Sequence, residues 1–159
     1  RKPKSIYDFL SGDYGWIQQE SVFWRRSLWD RAGGYIDQNY RLMVDGELWT
    51  RFFQHTELVS VDCILSGYRY HPGNRAAQHI DECHAEMQTA ISRMELRLDR
   101  STRYLGRAMR VMRGVNRNVF FKSSSLPRLL SRVFPAARYT NIHYHHEQWQ
   151  KRKLPFSLR

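Results

Sequence analysis

Apolar residues recur at helical spacing twice in the second half of the chain. Ile80, Cys83, Met87, Ile91, Met94 and Leu98 follow one another at intervals of 3 or 4, which predicts a core-facing stripe on a helix starting near Ala77. Leu105, Ala108, Met109, Met112 and Val115 predict a second helix over about 102–115. Its opposite face carries Arg100, Arg103, Arg107, Arg110 and Arg117, with Arg113 at the edge. A short apolar and basic segment spans 126–134, and beyond it no pattern is readable. The first half reads as shorter elements. SIYDFL (5–10) suits a helix stopped by Ser11-Gly12-Asp13. Polar Gln18-Gln19-Glu20 suits a loop feeding a strand, Ser21-Val22-Phe23-Trp24, closed by Arg25-Arg26. Ser27 would cap a helix from Leu28 to Ala32, ended by Gly33-Gly34. Residues 57–61 alternate as a strand, and 63–70 are β-rich with Gly67 as a bulge or close-approach point. His71-Pro72-Gly73-Asn74 is a turn signal.

Between these lies VDGELWTRFF, residues 44–53. Leu48, Trp49, Phe52 and Phe53 form an apolar stripe, and Asp45 and Glu47 sit in the first turn, where the helix dipole favours carboxylates. Asp45 is the expected N-cap. By itself this is a well-capped amphipathic helix.

The 159 residues suit one ordinary domain. A hydrophobic content of 42% excludes compositional disorder, and no apolar run is long enough to span a membrane. Cys63 and Cys83 have no CxxC spacing, which fits a reducing compartment, so a cytoplasmic location is expected. No signal peptide is visible. The chain opens on Arg1 instead of Met, so it is expected to be a piece of something longer. The net charge of +11 is uneven. Residues 1–75 balance at +1, residues 76–99 at −3, and residues 100–159 at +13 with Glu147 as their single acid.

In order, WIQQESVFWRRSLWDRAGGYID, VDGELWTRFF and LSGYRYHPGN resemble the C-terminal half of a family 2 glycosyltransferase of the A-type fold. The likeness covers roughly residues 16–74. It implies an α/β fold, a mixed sheet with flanking helices begun upstream, followed by a helical basic extension. Residues 1–76 would be the acceptor and catalytic-base half, 77–135 an amphipathic helical extension and 136–159 a basic, His-containing tail. The implied activity is inverting transfer of a sugar from a nucleotide-sugar donor to an acceptor hydroxyl on a glycan or lipid-linked acceptor, in polysaccharide or glycolipid synthesis. The resemblance assigns the base to Asp45 and the acceptor side to Gln18, Gln19 and Glu20, with Glu47 a weaker second carboxylate. It places Arg69 and His71 at the donor diphosphate, with His71 also a candidate ligand for a divalent metal (Mn²⁺ before Mg²⁺, because imidazole suits it better). The metal's main ligands would lie in a donor-binding half with an Asp-x-Asp motif. This sequence has neither that motif nor a glycine-rich phosphate loop.

The basic tail admits other partners. Arginines opposite Leu/Met on one helix suit peripheral contact with an anionic membrane, expected at the inner face of the cell membrane. A charge of +13 with Tyr104, Phe120, Phe121 and Tyr139 would also suit nucleic acid. No recognised binding motif accompanies it, so nucleic acid is the weaker reading. His143, His145 and His146 lack acidic or Cys neighbours, and a solvated tail is preferred to a metal site there.

Overall fold

The structure, a computed structural model, describes residues 4–15, 17–69, 71–118, 139–145 and 147–154. It is mixed α/β and divides into two compact units, each assembled from separated stretches of chain. One comprises Arg1–Asp13, Glu57–Cys63 and Asp99–Arg159; the other comprises Tyr14–Thr56 and Ile64–Leu98. The boundary expected at 76 falls inside the second unit, and the one at 135 lies outside the described residues.

The first unit holds α1 (Ile6–Leu10), β1 (Val59–Val61), α6 (Arg100–Asn118), β2 (Tyr139–His145) and β3 (Gln148–Leu154). Its sheet has the order β1-β2-β3, with β1 parallel to β2 and β2 antiparallel to β3. A mixed sheet is present, therefore, but β1 pairs with the chain's own C-terminal hairpin in a stretch where the sequence pattern is silent. Helix α1 starts because Asp8 reaches back to the amide and hydroxyl of Ser5, at 2.9 and 3.0 Å. Fully buried Asp8 also accepts the Tyr139 hydroxyl at 2.9 Å, which ties α1 to the sheet. Helix α6 packs on α1 at Gly106, where any Cβ would meet Leu10 Cβ and Cδ1 at 2.7 Å. Its start is capped by Asp99, whose carboxylate accepts the Ser101 hydroxyl and the Thr102 hydroxyl and amide. Those bonds hold its pKa well below the usual range.

The second unit holds α2 (Arg26–Arg31), α3 (Val44–Phe52), α4 (Arg75–Gln78) and α5 (Ile80–Arg97). Leu48, Trp49 and Phe52 of α3 are buried, as are Cys83, Met87, Ala90, Ile91 and Met94 of α5. Trp24 leans on this core, 5.8 Å from the Trp49 ring and 5.5 Å from Phe52. The predicted α5 stripe holds at Cys83, Met87, Ile91 and Met94, whereas Ile80 at the helix start is exposed and Leu98 is the half-buried C-cap.

Several expectations are corrected. Residues 22–25 are irregular and not a strand, because the preceding 3₁₀ turn, Gln19–Ser21, closes back on Gln18. Arg25, not Ser27, stands at the N-cap of α2, and Ser27 is already helical. Gly33 and Gly34 do end that helix, with φ of +104° and +70°. Asp45 is not the N-cap of α3 either. Met43 is, and the carboxylate of Glu86 on α5 replaces the missing cap by accepting the amides of Arg41, Leu42 and Met43 at 3.1, 3.0 and 2.8 Å. Residues 63–69 form no strand. Within residues 100–114 of α6 the buried positions are Gly106 and Met109, while Ala108 is exposed. The segment 126–134, Phe120, Phe121 and His146 lie outside the described residues.

Candidate functional site

The second unit gathers most of the residues singled out by sequence. Asp45 lies in the first turn of α3, half-buried, with Oδ1 accepting the Gly46 amide at 2.8 Å. A helix start favours the ionised carboxylate, and burial acts against it here. Burial pushes its pKa up, against the Gly46 amide, and the nearby charge of Glu20 pushes the same way. Asp45 and Glu20 are thus electrostatic neighbours across 25 residues of sequence.

Glu20, at the exposed end of the Gln18-Gln19-Glu20 loop, also lines a cleft of about 490 Å³. Arg69 and His71 line the same cleft, together with Arg41, Tyr68, Asn74 and Arg75. Asn74 builds its wall. The buried amide donates to the Tyr68 hydroxyl at 2.6 Å and to the Arg69 carbonyl at 3.2 Å, while its Oδ1 accepts the His71 amide at 3.1 Å. A segment that forms no strand is thereby fixed by one side chain. Arg69 and Arg75 make no ion pair among the described residues, whereas Arg41 meets Glu82 at 3.0 Å. Three guanidinium groups around one concave surface, with Glu20 the single carboxylate, suit an anion.

Glu47 is placed elsewhere. It is buried, and its two oxygens accept three bonds from Arg51, at 2.8 to 3.0 Å. Arg51 in turn donates to the carbonyls of Ala32 and Tyr35 at 2.6 and 2.8 Å, and its guanidinium lies 4.3 Å over the Tyr35 ring. This pair bolts α3 to the end of α2 and presents no free oxygen to a ligand.

The donors around His71 do not fit a divalent metal by themselves. A hard cation needs several oxygen ligands, and here one carboxylate faces three arginines. No group of three His, Cys, Asp or Glu residues is assembled among the described residues. His143 and His145 sit on one face of β2 with rings 6.2 Å apart, and His146 lies outside the described residues.

Sequence reasoning missed Arg41, Asn74 and Arg75. The Pro-Gly-Asn turn was the signal available for Asn74; Arg41 had none, since Glu86 brings it in from α5. The chain matches no protein-family model, no curated protein and no solved structure. No helix among the described residues is long and apolar enough to cross a membrane.

Proposed function

We propose that residues 1–76 carry the acceptor and catalytic-base half of an inverting family 2 glycosyltransferase of the A-type fold, with its site residues in the second unit. The observation that carries this reading is the convergence of Glu20, Arg69 and His71 on one cationic cleft, with Asp45 coupled to Glu20. Asp45 accepts the proton of the acceptor hydroxyl as its oxygen attacks the anomeric carbon. The bond to the donor phosphate breaks, and the nucleoside diphosphate leaves with the electron pair. Arg69, with Arg41 and Arg75, neutralises that leaving charge. Gln18, Gln19 and Glu20 hold the acceptor. A raised Asp45 pKa makes the carboxylate a more effective proton acceptor once ionised, so transfer falls as pH drops through that raised value. The divalent metal implied by the resemblance would take its ligands from the donor-binding half, with a nucleotide sugar as substrate and a glycan or lipid-linked acceptor.

The test uses the protein that includes the donor-binding half. Asp45→Asn is expected to retain nucleotide-sugar binding and lose roughly 10²-fold or more in transfer. Transfer within a few-fold of wild type would sink the assignment. A second, non-enzymatic reading draws on the net charge of the first unit, where residues 100–159 would meet an anionic partner.

A further inference from the structure

Helix α6 exposes apolar residues where a solvated helix would carry charge. Among its described side chains, Gly106 and Met109 are the buried positions. Two residues correspond to 200° of helical rotation, so Tyr104 lies opposite Gly106 and Val111 opposite Met109. These two side chains are 70% and 66% exposed, and Ala108 beside them is exposed as well. Arg100, Arg103 and Arg107 stand four and one residues before Tyr104 and three after it, so they run along one flank of the stripe. No acid occurs anywhere in the helix. In the whole unit Lys and Arg outnumber Asp and Glu by 17 to 6, which accounts for the full net charge of +11.

We infer that α6 is an interfacial helix that seats the Tyr104–Ala108–Val111 stripe in the headgroup region of an anionic bilayer, with Arg100 and Arg103 on the lipid phosphates. The geometry favours lipid over nucleic acid. A phosphate backbone would use the arginines and could stack on Tyr104, but it would leave Val111 and Ala108 in water. A bilayer accepts both halves of the surface. This inference does not depend on the glycosyltransferase reading, and its test involves no turnover.

The full chain is floated with vesicles of phosphatidylcholine alone and of phosphatidylcholine with about one-third phosphatidylglycerol. Binding to the anionic vesicles only is expected. Tyr104→Ser combined with Val111→Ser should lower that binding at least about tenfold, with circular dichroism unchanged because both residues are exposed. Arg100→Gln with Arg103→Gln should lower it by roughly fivefold per residue, in a salt-dependent way. Absence of flotation on anionic vesicles would overturn the inference, as would binding indifferent to the Tyr104/Val111 substitutions. Retention on single-stranded DNA without vesicle binding would overturn it in favour of nucleic acid.

Discussion

Residues 14–56 and 64–98 carry nine Lys/Arg and nine Asp/Glu, while the rest of the chain carries 17 against 6. In the neutral unit, carboxylates are numerous enough to engage specific partners. Glu47 holds Arg51, Glu82 meets Arg41, Asp37 meets Arg93 at 3.6 Å, and Glu86 binds three amides. Among the described residues Arg25, Arg31 and Arg97 of this unit make no ion pair either, so what is informative about Arg69 and Arg75 is that they share one cleft. In the basic unit the few acids are shared: Asp13 meets both Lys4 and Arg113, and Glu57 accepts Thr140 and Lys153. A surplus cation there follows from composition and singles out nothing. Exposed apolar side chains occur in both units, Phe23, Ile64 and Leu96 among them in the neutral one, but on α6 Tyr104 and Val111 share one helix face beside arginines. A lone unpaired cation is thus background in either unit, and what is diagnostic is where residues of one kind gather.

The contrast is sharpest for ion pairs, and removing one member of each should show it. Arg51→Leu leaves the Glu47 carboxylate buried without a partner, and a loss of about 3–5 kcal/mol is expected from urea unfolding. Replacing both residues, Glu47→Gln with Arg51→Met, should cost less than the single change. Lys153→Gln removes a largely exposed pair with Glu57 and should cost no more than about 0.5 kcal/mol. Equal costs for Arg51→Leu and Lys153→Gln would mean that burial does not distinguish the two units' electrostatics.

Legibility in the sequence also differs between the units. Helices α3 and α5 were readable because their apolar stripes pack on each other, so periodicity and burial coincide. In α6 they do not. The Leu105–Met109–Met112 stripe predicts one buried face, but the close approach of Gly106 to Leu10 turns the helix so that Gly106 and Met109 go inside. The hairpin 139–154 was invisible because Lys151, Arg152 and Lys153 break the alternation that marks a strand, and because its pairing with residues 59–61 is remote in sequence. Motif order singles out Glu20, Arg69 and His71, which the fold brings to one cleft, and Asp45, which is not in its lining but neighbours Glu20. Arg41 and the capping role of Glu86 were not legible, since both depend on α5 crossing residues 41–43 from more than 40 positions away.

Two helical glycines test the packing side of the comparison. Gly106→Ala should gain about 1 kcal/mol in helix propensity, but the new Cβ would press on Leu10 Cβ, which has no rotamer to escape into. Overpacking of this kind costs about 1–3 kcal/mol, so a net loss is expected in thermal unfolding. Gly46→Ala in α3 would meet the thioether ends of Met87 and Met43. Those tips can swing aside, and the net change should stay within about 1 kcal/mol. A larger loss at Gly46 than at Gly106 would show that the α3–α5 contact is the stiffer one.

One further expected effect carries a pH signature. Burial raises the Glu86 pKa, but the amides of Met43, Leu42 and Arg41 and the Arg41 charge outweigh it, so the folded value lies below the ordinary one. A depressed carboxyl pKa stabilises the fold above the unfolded value of about 4.3 and loses that contribution as pH falls through the folded value. Glu86→Gln should therefore cost about 1–2 kcal/mol at pH 7, with the gap to wild type closing below about pH 4. Asp45 has the opposite sign, because its folded pKa is raised: its protonation favours the fold as pH falls, and Asp45→Asn should remove that trend. Urea midpoints of the two variants across pH 3–7 would separate the cap from the proposed base. A Glu86→Gln deficit that stays constant over that range would mean the charge of Glu86 contributes nothing to holding residues 41–43, and that α3 starts where it does for reasons of packing alone.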